Sequence, residues 1–200
     1  MPPIPELEAI RKAQILEAAL ITISENGCAN VTMAAICKAA GLSKGGLAHY
    51  YQSKKDLFYS VFDEFFERIF ERSRETMAEL DDPLDKLLSF DWLYDRDDPD
   101  ARFGYPLLFD FLSMALHDEK YQEMYHDWVD NWVILLSDAL RQGIESGVFP
   151  ELDTKKTART ISSIYNGIAT RWYMDPEVHS TEWAVDAFKR SIKGLLRSYE

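Results

Sequence analysis

Apolar positions along this chain recur three and four residues apart almost throughout, the spacing of one face of an α-helix. The first stripe, within Leu7 to Asn26, is Leu16, Ala19, Leu20 and Ile23, and Asn26-Gly27 supplies a stop. Thr32 precedes a short helix carrying Met33, Ile36, Cys37 and Ala40, which Gly41 breaks. Ser43 opens a third helix, about 44–50, and Ser53 a fourth, from Lys54 to about Leu80, with Asp56 completing a capping box. Asp81-Asp82-Pro83 starts a fifth, to about Tyr94; an acidic loop follows over 95–101, then a sixth helix over about 103–116. The remaining three are expected near 119–147, 154–174 and 181–199, separated by Pro150 and by Asp175-Pro176. Strand-like alternation bounded by turn residues is absent, so the chain reads as all-α with about nine helices.

Charge divides this helical chain in two. Residues 1–60 hold six Lys/Arg and five Asp/Glu, while 61–200 hold the remaining 16 of 22 basic and 29 of 34 acidic residues. A near-neutral head with clustered lysines can approach phosphates, whereas a strongly acidic body is repelled by them. The expected division is a small head, 1–53, and a larger domain, 54–200, joined by the helix over 54–80.

The informative stretch is Thr32 to Leu57, TMAAICKAAGLSKGGLAHYYQSKKDL. Two short helices meet across the tight turn Ala40-Gly41-Leu42, and Ile36, Ala40, Leu42 and Leu47 fall where they must touch. That leaves Ser43, Lys44, Gly45, Gly46, Ala48 and His49 on the outer face of the third helix, small and polar enough for a DNA major groove. Lys44, Lys54 and Lys55 all lie in first turns, where a cation opposes the helix dipole. Stability alone does not place them there, but a helix N-terminus with a lysine makes a good phosphate site.

This segment resembles the DNA-binding domain of the TetR family of one-component regulators. That family shows a Thr opening its second helix, then Ile-Ala-x-x-Ala-Gly-Val-Ser and Lys-Gly-Thr-Leu-Tyr-x-Tyr-Phe-x-x-Lys-x-x-Leu. Here the same positions run Thr32, Ile36 to Ser43, then Lys44 to Leu57. The resemblance implies that Thr32, Tyr50 and Lys54 contact phosphates and that Ser43, Lys44, Gly45 and His49 read bases, with Gly46 beside them. Gly46, Ala48 and Tyr51 depart from the common Thr, Tyr and Phe; the first two bear on operator sequence. Two adjacent glycines weaken the third helix by about 1 kcal/mol each relative to Ala, so it is expected to firm up on DNA.

In the larger domain, Ala158, Ile161, Tyr165, Ile168 and Trp172 form a 3-4 seam. Together with the family resemblance it implies a homodimer built on the last two helices, through Ala158, Ile161, Ile168, Phe188 and Leu195. Aromatic residues make up 13% of the chain. The same resemblance implies a cavity for a small apolar or aromatic effector, lined by Trp92, Phe109, Trp128, Trp132, Tyr165 and Trp172 with Asn166 as polar anchor. The acid excess favours a cationic effector, because aromatic faces also attract cations. The expected function is a repressor released from a palindromic double-stranded DNA operator by that effector.

Two rival readings are weaker. Glu123-x-x-His126 is half of a di-iron carboxylate motif, but no second Glu-x-x-His exists. No nucleophile motif or calcium loop is present, so no enzyme, metal or cofactor is expected. A helical interaction module without DNA binding leaves the first-turn lysines unexplained. Cys28 and Cys37 form no disulfide framework, and Cys37 falls on an apolar face. No apolar run approaches the ~18 residues of a membrane span, so the expected compartment is the cytoplasm.

Overall fold

The computed structural model describes residues 5–199. Nine α-helices are present among them, with no strand: α1 (Pro5–Asn26), α2 (Met33–Ala39), α3 (Lys44–Tyr50), α4 (Lys54–Ala78), α5 (Pro83–Leu88), α6 (Pro99–Ala115), α7 (Glu119–Glu145), α8 (Thr154–Met174) and α9 (Thr181–Arg197). The expected fifth helix divides. Asp82 caps α5 through the N–H groups of Leu84 and Asp85, α5 ends at Leu88, and a separate 3-10 turn covers Asp91–Tyr94. Helix α6 begins four residues earlier than its apolar stripe, because Pro99 suits a first helical position.

The chain forms two compact units, and their boundary differs from a cut at residue 53. Unit 1 is 1–67 with 103–124; unit 2 is 68–102 with 125–200. Helices α4, α6 and α7 therefore each run through both units. Pattern along the sequence marks helices, whereas unit membership depends on which helices pack together.

Unit 1 buries Ile15, Ala19, Leu20 and Ile23 of α1, Ile36 and Leu47 of the small helices, and Leu57, Phe58, Val61 and Phe62 of α4. Phe62 packs edge-on against Tyr121 at 5.7 Å and lies 5.1 Å from Phe111, both fully or almost fully buried. Gly104 lets α6 pass Phe65: a Cβ there would stand 2.3 Å from the ring. Unit 2 buries Tyr94, Ala158, Ile161, Trp172, Ala184, Phe188 and Ile192. The Trp172 indole donates to Thr181 Oγ1, and the Thr181 hydroxyl donates to the Tyr94 carbonyl at 2.8 Å, joining α8, α9 and the 3-10 turn.

Candidate functional site

The helix pair α2–α3 has the turn its sequence predicts. Gly41 adopts φ +65°, a conformation that an L side chain rarely takes. Both helices start with a hydroxyl cap: Thr32 Oγ1 accepts from the Ala35 N–H at 3.2 Å and Ser43 Oγ from the Gly46 N–H at 3.1 Å. Each capping oxygen keeps its own hydrogen, free to donate outward. Leu47 is buried, while Ser43, Lys44, Gly45, Ala48 and His49 are exposed and Gly46 and Tyr50 half-buried. The imidazole of His49 meets the Tyr50 ring edge-on at 5.1 Å. The outer face of α3 is thus open to solvent, and α3 is helical over 44–50 despite its glycine pair.

The lysines of α4 are placed differently from Lys44. Lys54 donates its ammonium to the Cys28 carbonyl at 2.7 Å and stands 5.0 Å from the Phe58 ring. Lys55 pairs with Asp118 at 2.5 Å. That hydrogen bond, with the Lys55 charge behind it, holds the Asp118 carboxyl below its usual range. The Tyr121 hydroxyl donates to the Lys55 carbonyl, and burial, with Asp118 adding to it, pushes the Tyr121 phenol up to about 12. Both lysines therefore have partners inside unit 1, which spacing along one helix could not reveal. Asp56 accepts from the Gln52 N–H and Ser53 Oγ from the Asp56 N–H, so the capping box reaches one residue further back than the usual pattern.

Four of the seven expected effector residues converge. Trp128, Trp132, Tyr165 and Asn166 line one cavity in unit 2, together with Phe90, Leu93, Leu136, Ile161, Ser162 and Phe188. Its volume is about 20 Å³, room for about one water. The other three lie elsewhere. Phe109 belongs to unit 1, with its ring 6.4 Å from Tyr105. Trp92 carries the Arg72 guanidinium on its face at 3.9 Å. Trp172 is fully buried, with Arg96 stacked at 4.3 Å and bonded to its carbonyl. An aromatic residue is equally suited to core, cation platform and pocket wall, so composition could not separate these uses. Phe90 and Phe188 were missed as wall residues because only the fold brings the segment after α5 beside α7, α8 and α9.

The expected dimer seam also divides. Ala158, Ile161 and Phe188 are at most 1% exposed within the single chain, so they already belong to its own core. Ile168 and Leu195 are half-buried. A 3-4 stripe reports that a helix face is covered, not by whose helix, and here α8 and α9 of one chain cover each other. Glu123 and His126 are both exposed on α7. Cys28 and Cys37 are buried and free. Among the described residues no helix is long and apolar enough to cross a membrane.

A capped helix-turn-helix presenting a small polar face, carried on an all-helical body, defines a DNA-binding transcriptional regulator. The model of the bacterial regulatory proteins of the tetR family matches residues 15–61, and that of the BetI-type transcriptional repressor C-terminal domain matches 90–197. The chain belongs to the TetR family. It is 26% identical over 185 residues to the HTH-type transcriptional repressor KstR2 of Mycolicibacterium smegmatis, covering 86% of this chain and 83% of that protein. A TetR regulator from Haloarcula marismortui superposes with a TM-score of 0.80 at 24% identity, over 96% of this chain and 98% of that one. A regulator from Saccharomonospora viridis, solved in complex with choline, superposes with a TM-score of 0.84 at 20% identity, over 92% and 96%.

Proposed function

We propose that this protein is a cytoplasmic, homodimeric repressor that holds a palindromic operator and releases it when a small organic cation with an apolar body enters the unit 2 cavity. The observation that carries the effector class is the cavity wall itself. Phe90, Trp128, Trp132, Tyr165 and Phe188 surround it, Ser162 and Asn166 are its polar side chains, and no Lys, Arg, Asp or Glu lines it. Aromatic faces without a competing charge suit a quaternary ammonium group or a neutral aromatic ring. The choline bound by the Saccharomonospora viridis regulator supports the cationic choice.

Pockets for drug-sized ligands span ~300–1,000 Å³, so a cavity of about 20 Å³ has to open as the effector enters. Helices α4, α6 and α7 run through both units, so a shift in unit 2 travels along continuous backbone. An effector that favours the non-binding arrangement must itself bind more weakly to the operator-bound protein, by the same coupling free energy.

At the operator, Ser43, Lys44, Gly45, Gly46 and His49 read bases, and Thr32 and Tyr50 contact phosphates. A two-fold dimer requires half-sites about 34–36 Å apart or a multiple of it. The test is a titration of the operator-bound protein with choline and with neutral aromatic compounds, following tryptophan fluorescence and DNA release together. Choline-type cations should quench and release DNA. Compounds that quench while leaving DNA affinity unchanged would sink the effector reading.

A further inference from the structure

The turn between α1 and α2 is gripped from two sides. Gly27 turns the chain with φ +77°, and Cys28 follows with 8% exposure. The Cys28 N–H donates to Asp110 Oδ2 of α6 at 2.5 Å, and the Cys28 carbonyl accepts from the Lys54 ammonium of α4 at 2.7 Å. One residue is therefore held at its N–H by a carboxylate and at its carbonyl by an ammonium, two charge-assisted hydrogen bonds of the strong kind. The thiol faces the same carboxylate. Burial, and then the Asp110 charge, drive its ionisation far above the usual range, so it stays a neutral S–H donor to Asp110. The N–H groups of Asn30 and Val31 return to the Gly27 carbonyl, and Thr32 then caps α2. The grip thus lies four residues before the cap of α2, the helix across whose turn α3 is set.

We propose that Asp110 and Lys54 are positioning residues for operator binding, acting together through the Cys28 backbone to fix where α2 starts and so how α3 is presented. The proposal rests on the DNA-binding reading above. It reverses two simpler expectations. Asp110 is an acid within the DNA-binding unit, and charge alone says that removing it should tighten binding to a polyanion. Lys54, as a phosphate contact, should flatten the salt dependence when removed; as a clamp it should not.

The experiment measures specific and non-specific duplex affinity of the full chain against salt, well below each variant's Tm. The variants are Asp110→Ala, Asp110→Asn, Lys54→Met and the double variant Asp110→Ala/Lys54→Met. Asp110→Ala and Lys54→Met should each weaken operator binding about tenfold, the scale of one lost charge-assisted hydrogen bond. The wild-type salt slope and the non-specific affinity should persist. Asp110→Asn keeps an acceptor oxygen for the Cys28 N–H and should recover most of the loss. The double variant should lose less than the product of the single losses, because both act on one residue. Should Asp110→Ala fail to fold, Lys54→Met and Asp110→Asn carry the same test. An Asp110→Ala protein that binds as tightly as wild type or tighter overturns the clamp. So does a Lys54→Met slope reduced by about one unit, the mark of a lost phosphate contact. A wild type that binds no duplex overturns the DNA-binding reading and the clamp with it.

Discussion

The guanidinium of Arg72 stands over the Trp92 ring at 3.9 Å while its fork grips Asp98 at 2.6 Å. Asp100 takes the other side of the fork at 2.7 Å and Arg68 at 3.1 Å. Four charged side chains and one indole thus tie α4, the 3-10 turn and the start of α6 into one brace within unit 2. This contact places a cation on one face of Trp92, which does not line the unit 2 cavity.

The brace makes unit 2 sensitive to acid. Burial works against the Asp98 carboxylate, but the Arg72 hydrogen bonds and the N–H groups of Asp100 and Ala101 outweigh it, and its pKa falls below the ordinary value. A depressed folded-state pKa contributes stability above the unfolded value of about 3.9, lost as pH falls through the folded value. Thermal melts from pH 6 to pH 2 should show Tm dropping below about pH 4. Asp98→Asn should start lower at neutral pH and fall less. Equal slopes for the two proteins would contradict the role of Asp98.

Lys44 is exposed beside the Ser43 cap on the outer face of α3. Lys44→Ala and His49→Ala should each cost about 1–3 kcal/mol on the best operator and relax base preference at one position, if each loses a base contact. Binding selections from a randomised duplex pool read this directly. A uniform loss across all sequences would instead make Lys44 a phosphate contact.

An ideal Cβ on Gly45 meets nothing within 4 Å, whereas one on Gly46 would stand 3.3 Å from Ser43 Oγ. Gly45→Ala should therefore stabilise α3 by up to about 1 kcal/mol and raise Tm, and Gly46→Ala should gain less. The new methyl also stands on the reading face, so operator preference should change as Tm rises. A Gly45→Ala protein with unchanged Tm would show that helix propensity does not limit this head.

Ile161 and Ile168 separate folding from assembly. Ile161 is 1% exposed, so Ile161→Asp buries an unpaired charge and should unfold unit 2, seen as lost helical circular dichroism. Ile168 is half-buried on the same helix, and Ile168→Asp should keep the helical signal while sedimentation shows monomers. A wild type that sediments as a monomer at micromolar concentration would remove the dimer from the proposed function.

The helix-turn-helix was legible residue by residue because its constraints are local. Caps at Thr32 and Ser43, the positive φ of Gly41 and the inward Leu47 are each set within a few residues of chain. The all-helical class followed from periodicity for the same reason. What the tertiary structure decided were the partners. It seated Lys54 on the Cys28 carbonyl and Lys55 on Asp118, turned Ala158, Ile161 and Phe188 into one chain's core, and brought Trp128 and Trp132 to one cavity while placing Trp92, Phe109 and Trp172 away from it. Helical spacing gives the direction of a side chain about its own axis. What it meets there is set by long-range packing between segments tens of residues apart, and a lysine or an aromatic ring accepts several such partners with similar energy.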